Sequence, residues 1–329
     1  MTMATGLRLF LIGVLVLGAL VTTALMQGPG LSLPAAVIVS VVIAIVIHAA
    51  IVGAGFLLAW RLSQRPGNAA PRGFLRAWPG EVVISLRNMY VDIPWRGGWR
   101  AVTPARSRGA ILLVHGYGCN RGVWRGFFGW LGALGWTVDA IDLSPPQASI
   151  DDFGKQVLAG ARSLCQRASV DKVIVIAHSM GGLAARSALR HDPHAPIKHV
   201  ITIATPHLGT FHARMGRGIC ATEMVPDCMW LTQLNAAAPV HDPSMFSCVA
   251  SRHDNIVSPV AHGLLPGADA FVCERVGHMR LMFHPAARRY IAARLDAVAG
   301  TLASEADRPA IHRAAAQAPH AASAAAETQ

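Results

Sequence analysis

The chain opens with two apolar runs that show neither alternation nor charge: no residue from Leu9 to Met26 is charged, and none from Gln27 to Trp60. Pro29 and Pro34, with Gly28 and Gly30, divide this region into helices of about 18–20 and 26 residues, the second spanning Ala35 to Trp60; a bilayer core takes roughly 20 apolar residues per helix. A globular helix of that length would carry a polar face. Beyond residue 108 the pattern changes. Short apolar runs at Ala110–Val114, Thr137–Ile141, Lys172–Ala177, His199–Ala204, Phe246–Ala250 and Ala270–Arg275 read as strands. Helix-like segments lie among them at Val123–Leu134, Asp151–Arg167, Met180–His191 and Pro285–Val298. Upstream, Val82–Leu86 reads as an early strand with Trp99–Thr103 as its partner. Strands without alternation, most of them followed by a helix, predict a parallel sheet covered on both faces, an α/β fold.

Charge then orients the apolar runs. Only 14% of residues are charged, against about 25% in ordinary soluble domains. The net charge is +11, with Lys only at 155, 172 and 198 and Arg supplying the rest. Nine Arg between 61 and 108 face only Glu81 and Asp92, so this stretch holds +7 of the excess. The positive-inside rule puts the end of the second helix, and the domain that follows, on the cytoplasmic side of the membrane, with the opposite side as the alternative. A signal peptide is the alternative for the first run, since only Arg8 precedes it, but Thr22–Met26 is a poor small-x-small cleavage site. No nucleic-acid-binding motif accompanies the Arg, which excludes DNA or RNA as the expected partner. The six Cys form no C-x-x-C pair and are too sparse for a disulfide scaffold, so neither a zinc site nor a stapled fold is expected. His48 is a lone polar residue in the second helix and is expected to bond or pack against a neighbouring helix, with an intramembrane functional site as the alternative. The organisation is therefore a hairpin over 1–60, a basic segment with the first strands over 61–108, an α/β domain over 109–300, and an Ala-rich tail over 301–329 that is disordered or loosely helical.

The sharpest chemistry lies at Val173-Ile-Val-Ile-Ala-His-Ser179-Met-Gly-Gly-Leu183, where a buried strand runs through small-x-Ser-x-Gly into a helix. That context strains the Ser backbone and pushes its Oγ out above the sheet, as a nucleophile requires. A Ser hydroxyl needs a base to take its proton, and in this arrangement an acid and then a His follow at later strand ends. Asp254, after the strand ending near Ala250, and His278, after the strand ending near Arg275, meet that demand. Asp242 and Asp269 fall before their strands, and His253, His262 and His284 are off the strand-end register. Backbone N–H donors for a developing oxyanion are expected from Met180 and from Tyr117 in His115-Gly-Tyr-Gly118; the alternative is that His115-Gly116 is only a tight strand exit.

Together with Ala-Thr-Pro-His-Leu-Gly-Thr at 204–210, Leu231-x-x-Leu-Asn235 and Arg186, these motifs make residues 109–290 resemble the bacterial α/β-hydrolase lipases and esterases. Ala177 stands where that group usually has Gly. The resemblance implies the α/β-hydrolase fold, hydrolysis of lipid or small carboxylic esters by a Ser-His-Asp acyl-enzyme mechanism, and no metal or organic cofactor. It also implies that 207–245 is a cap or lid. There Met215, Ile219, Met224, Val225, Met229 and Trp230 either line an acyl site or pack an inserted subdomain. Cys220 and Cys228 would pair if the domain were exported and stay reduced in the cytoplasm; Cys165, Cys248 and Cys273 read as buried small apolar residues. An acyltransferase or thioesterase with the same triad, and a non-catalytic membrane scaffold, are the competing functions. Oligomeric state is not encoded in any of these patterns.

Overall fold

A computed structural model describes residues 2–64, 73–98, 101–236 and 242–316. Helices α1 (Met3–Gln27) and α2 (Leu33–Ser63) form the N-terminal hairpin, both long and apolar enough to cross a membrane by length and composition. Their large side chains are mostly exposed, from Leu9 through Leu20 on α1 and from Leu33 through Ile51 on α2. The hairpin ends are not free, however. Arg8 near the start of α1 donates from Nε to the Pro94 carbonyl (2.9 Å) and stacks over Trp95, and Phe56, Ala59 and Leu62 near the end of α2 are buried.

Helix α3 (Trp78–Arg87) occupies the place where an early strand was expected. The β-branched run Val82-Val83-Ile84 favours a strand in isolation, but Pro79 starts a helix well and tertiary packing selects the helical period. Glu81, Ile84 and Asn88 turn inward at i, i+3 and i+7, while Val83 is exposed. Trp78 donates its indole N–H to the Ala49 carbonyl of α2 (2.9 Å), and Ser85 bonds His48 (3.1 Å). His48 thus bonds a neighbouring helix. The short helix α4 (Ile93–Trp95) follows. Of the expected partner strand, 99–100 lie outside the described residues and Val102 makes one antiparallel bridge to Val138.

The remaining strands fall where the apolar runs indicate: β1 (Ala110–Val114), β2 (Thr137–Ile141), β3 (Val173–His178), β4 (Ile197–Ile203), β5 (Phe246–Ser251) and β6 (Asp269–Cys273). They form one parallel sheet in the order β2-β1-β3-β4-β5-β6. Helices α5 (Arg125–Ala133), α6 (Ile150–Ala168), α7 (Met180–His191), α8 (Ile219–Glu223), α9 (Met229–Ala236) and α10 (Pro285–Ala316) complete the described elements. Helix α10 runs on from the expected Val298 into the Ala-rich tail, of which 317–329 lie outside the described residues.

The central strands β1 and β3 feed two cores because their side chains alternate between faces. Leu112, Val114, Val175 and Ala177 pack against Phe153, Val157 and Leu183 of α6 and α7, whereas Ile111, Leu113, Ile174 and Ile176 pack against Phe127, Leu131, Ile291 and Leu295 of α5 and α10. Full burial on both faces explains why these strands read as continuous apolar runs. Helix α6 starts at a Ser149 cap that accepts the Asp152 N–H, with Asp151 and Asp152 in its first turn. In a parallel sheet all strand C-termini share one edge, so the loops after β1, β3, β5 and β6 converge there.

Candidate active site

The turn from β3 into α7 bends at Ser179, whose φ of 54° and ψ of −129° lie outside the regions comfortable for a side-chain-bearing residue. Its backbone N–H donates to the Ile203 carbonyl (2.8 Å), tying the strained turn to β4. The helix sits so close to β1 that a Cβ at Gly181 would fall 2.6 Å from the carbonyl oxygens of Val114 and His115. A Cβ at Gly116 would likewise lie 2.7 Å from Ser179 Cβ, so glycine is needed on both sides of the hydroxyl. Ala177 is buried, its methyl group part of the apolar core between the sheet and α6 and α7.

His278 and Asp254 meet at the same sheet edge. His278 Nδ1 lies 3.0 Å from Asp254 Oδ2, and both side chains are buried. Asp254 Oδ1 also accepts the N–H groups of Ile256 and Val257, each at 2.8 Å, which fixes the carboxylate before the ring reaches it. The His278 N–H in turn donates to Asn255 Oδ1 (3.1 Å). Burial alone pulls the imidazole below its ordinary value; the Asp254 carboxylate beside it, aided by Glu81, more than reverses this and holds it above. Ser179 and His278 line one cavity of ≈ 590 Å³. Among the described residues no hydrogen bond joins Ser179 Oγ to the His278 ring; such contacts often tighten only when substrate arrives.

Tyr117 lines that cavity, and its hydroxyl donates to the Arg217 carbonyl (3.0 Å) and accepts the Arg217 N–H (2.8 Å), linking the β1 exit loop to the 207–245 region. Met180 is buried at the first turn of α7. His115 holds the same loop from below: its Nδ1–H donates to the Gly116 carbonyl (2.9 Å) and its Nε2 accepts the Leu143 N–H (3.0 Å). Burial lowers its pKa and keeps it in that neutral tautomer. Cys119 also lines the cavity, but burial pushes its thiol up to about 12, leaving little thiolate at neutral pH.

The competing candidates sit elsewhere. Asp242 caps the turn before β5, and Asp269 opens β6 at the opposite sheet edge, bonding Tyr290. His253 accepts the Arg275 N–H, His262 bonds the Gly209 carbonyl, and His284 bonds Cys273 Sγ. Of the apolar residues in 207–245, Met215 lines the cavity. Met224 is buried in the core beside Val225 and Trp230, while Ile219 and Met229 are exposed. All six Cys are free, Cys220 and Cys228 included.

Sequence reasoning missed Glu81. This α3 carboxylate is buried beneath the His278 loop, accepting the N–H groups of Met279 (2.8 Å) and Arg280 (3.0 Å), and a Cβ at Gly277 would lie 2.6 Å from its Oε2. Burial raises its pKa, the two N–H donors and His278 opposing the shift. Its only sequence signal is scarcity: it is one of two acids among the nine Arg of 61–108. A hydroxyl on a strained turn and an imidazole held by a carboxylate, sharing one cavity, can together perform nucleophilic acyl transfer.

These features define the protein as an α/β-hydrolase fold, here with two apolar N-terminal helices. Residues 156–262 match the family model described as the PGAP1-like alpha/beta domain. A lipase from Bacillus licheniformis in its mature form superposes with a TM-score of 0.50 at 19% identity, covering 65% of this chain and 97% of that one. A carboxylesterase structure from Nitrososphaera gargenis gives 0.45 at 14% identity, covering 61% and 94%. No curated protein matches the chain by sequence.

Proposed function

We propose that this protein is a membrane-anchored serine hydrolase that cleaves carboxylic esters through an acyl-enzyme. The observation that carries the reading is the shared cavity of Ser179 and His278, with the ring fixed by Asp254 at 3.0 Å. Ser179 Oγ attacks the ester carbonyl as His278 Nε2 accepts its proton; Asp254 holds the tautomer with hydrogen on Nδ1. The N–H groups of Met180 and Tyr117 stabilise the tetrahedral oxyanion. His278 then protonates the departing alcohol, and water, activated by the same ring, releases the acid and restores Ser179. A fluorophosphonate carries out the first half of this sequence and stops, so the purified full-length protein should gain one phosphonyl group, located by mass spectrometry on Ser179. No adduct, or an adduct on another residue, defeats the reading.

Anchoring by both helices is supported by their length and by the seating of α1 and α2 on the catalytic domain, a contact that removal of α1 would break. The Arg excess over 61–108 supports a cytoplasmic catalytic domain. In spheroplasts of an expressing bacterium, external protease should leave residues 61–300 intact until the membrane is opened. Digestion from outside the sealed cells reverses the orientation.

A further inference from the structure

One wall of the catalytic cavity comes from the hairpin, not the hydrolase domain. Ile51, Val52, Ala54, Gly55 and Leu58 of α2 face Ser179 and His278 across it. Residues 51, 54, 55 and 58 recur at the helical period and share one face. This placement is held by polar contacts at both ends of the stripe. On one side His48 bonds Ser85 and the Ala49 carbonyl accepts the Trp78 indole; on the other Ser258 Oγ donates to the Ala59 carbonyl (3.1 Å) and meets Ser63 Oγ (3.1 Å). Between these contacts α2 offers only apolar side chains and the glycines Gly53 and Gly55; a Cβ added at Gly55 would sit 3.4 Å from the Asn255 carbonyl oxygen. Toward its N-terminus the same face of the helix continues with exposed Ile47 and Ile43. At 1.5 Å per residue, the apolar surface from Leu58 to Ile43 runs about 22 Å without a charge.

We propose that α2 is the acyl-binding wall of this enzyme and that its substrate is a long-chain ester resident in the bilayer, entering sideways along the helix. This rests on the serine-hydrolase reading. The cavity's polar side chains, among them Ser179, His278, His212 and Asn255, come from the α/β domain and α3, where an ester carbonyl has use for them; the α2 wall contributes none and suits an alkyl chain. A chain already among lipid tails exchanges one apolar neighbour for another as it moves along α2, so entry demands no passage through water. A soluble short-chain ester reaches Ser179 but leaves the wall unfilled. The selectivity therefore resides in a helix whose sequence reads only as an anchor.

The full-length protein in phosphatidylcholine vesicles is assayed with p-nitrophenyl palmitate and p-nitrophenyl butyrate. Ala54→Trp narrows the wall and should lower the palmitate-to-butyrate ratio of kcat/KM by about tenfold, the scale on which apolar pockets discriminate chain size. In parallel, wild-type protein is labelled with a fluorophosphonate whose long alkyl chain bears a terminal diazirine; after irradiation the crosslink should fall on α2, on or N-terminal to Leu58. A crosslink confined to the 207–245 region, or an unchanged ratio in Ala54→Trp, overturns the acyl wall while butyrate hydrolysis and the Ser179 adduct leave the hydrolase reading intact. Failure of wild type to label or to cleave either ester overturns both.

Discussion

Ser179→Ala and His278→Ala are each expected to lower kcat for a soluble ester by about 10⁶, and the double variant by little more than either one. In the proposed mechanism nucleophile and base act as a unit: without the ring the hydroxyl keeps its proton, and without the hydroxyl the ring has no proton to take. Asp254→Asn should be milder, about 10⁴, because an amide leaves the geometry nearly intact but favours the wrong tautomer of His278. Residual activity would come from the N–H donors of the 116–118 loop and α7, which none of these substitutions removes. Burst and steady-state kinetics with p-nitrophenyl butyrate, alongside circular dichroism to check folding, measure each value. A Ser179→Ala variant within tenfold of wild type would eliminate the acyl-enzyme mechanism.

The second large effect is expected at Glu81. Glu81→Ala strands the buried N–H groups of Met279 and Arg280, each costing about 1–3 kcal/mol when left unpaired, and frees the loop that carries His278. A catalytic group displaced by about 1 Å loses on the order of 10² in rate, so kcat should fall by about that factor with KM little changed. Glu81→Gln retains an acceptor and should recover most of the rate, while separating the electrostatic role from the positional one. His278 is held above its ordinary 6.5 by Asp254 and, more weakly, Glu81. In the proposed mechanism the active base is the neutral ring, which is present above that raised pKa, so kcat/KM should fall as pH drops through a value above 6.5. Removing the Glu81 charge lowers the ring's pKa, and the acidic limb of Glu81→Gln should move to lower pH. A pH profile across 5 to 9 measures the shift; a limb that stays in place would confine Glu81 to holding the loop.

These two groups of residues differ in how visible they are along the chain. The Ser179 turn is local: a buried strand, a small residue at each close approach and a helix appear in eleven consecutive residues. Asp254 and His278 are distant in sequence but follow from a rule of parallel sheets, since each stands just after a strand and all such positions share one edge. The rival acids and histidines are off that register, and the structure puts Asp242 in the turn before β5 and Asp269 at the first residue of β6. Glu81 follows no such rule. It reaches the site from a helix nearly 200 residues upstream, through a five-residue apolar run whose helical and strand periods are too short to tell apart. Its partners are backbone N–H groups, which leave no mark in a sequence. Gly116 and His115 are intermediate: glycine signals a tight exit from β1, but the closeness of Ser179 that makes it necessary belongs to the assembled sheet.

What the sequence by itself determined is whatever depends on patterns along the chain: the apolar runs that become α1, α2 and the buried strands, the strained Ser179 turn, and the placement of Asp254 and His278 after β5 and β6. Only the tertiary structure decided that Val82–Leu86 is helical, that Glu81 clamps the His278 loop, and that α2 lines the cavity shared by Ser179 and His278. The physical reason is that periodicity records which face of an element is apolar but not what it is apolar toward. Lipid and a substrate cavity ask the same side chains of a helix, and the difference lies in a few long-range hydrogen bonds, at His48, Ala49, Ala59 and Ser63, that seat α2 against the site.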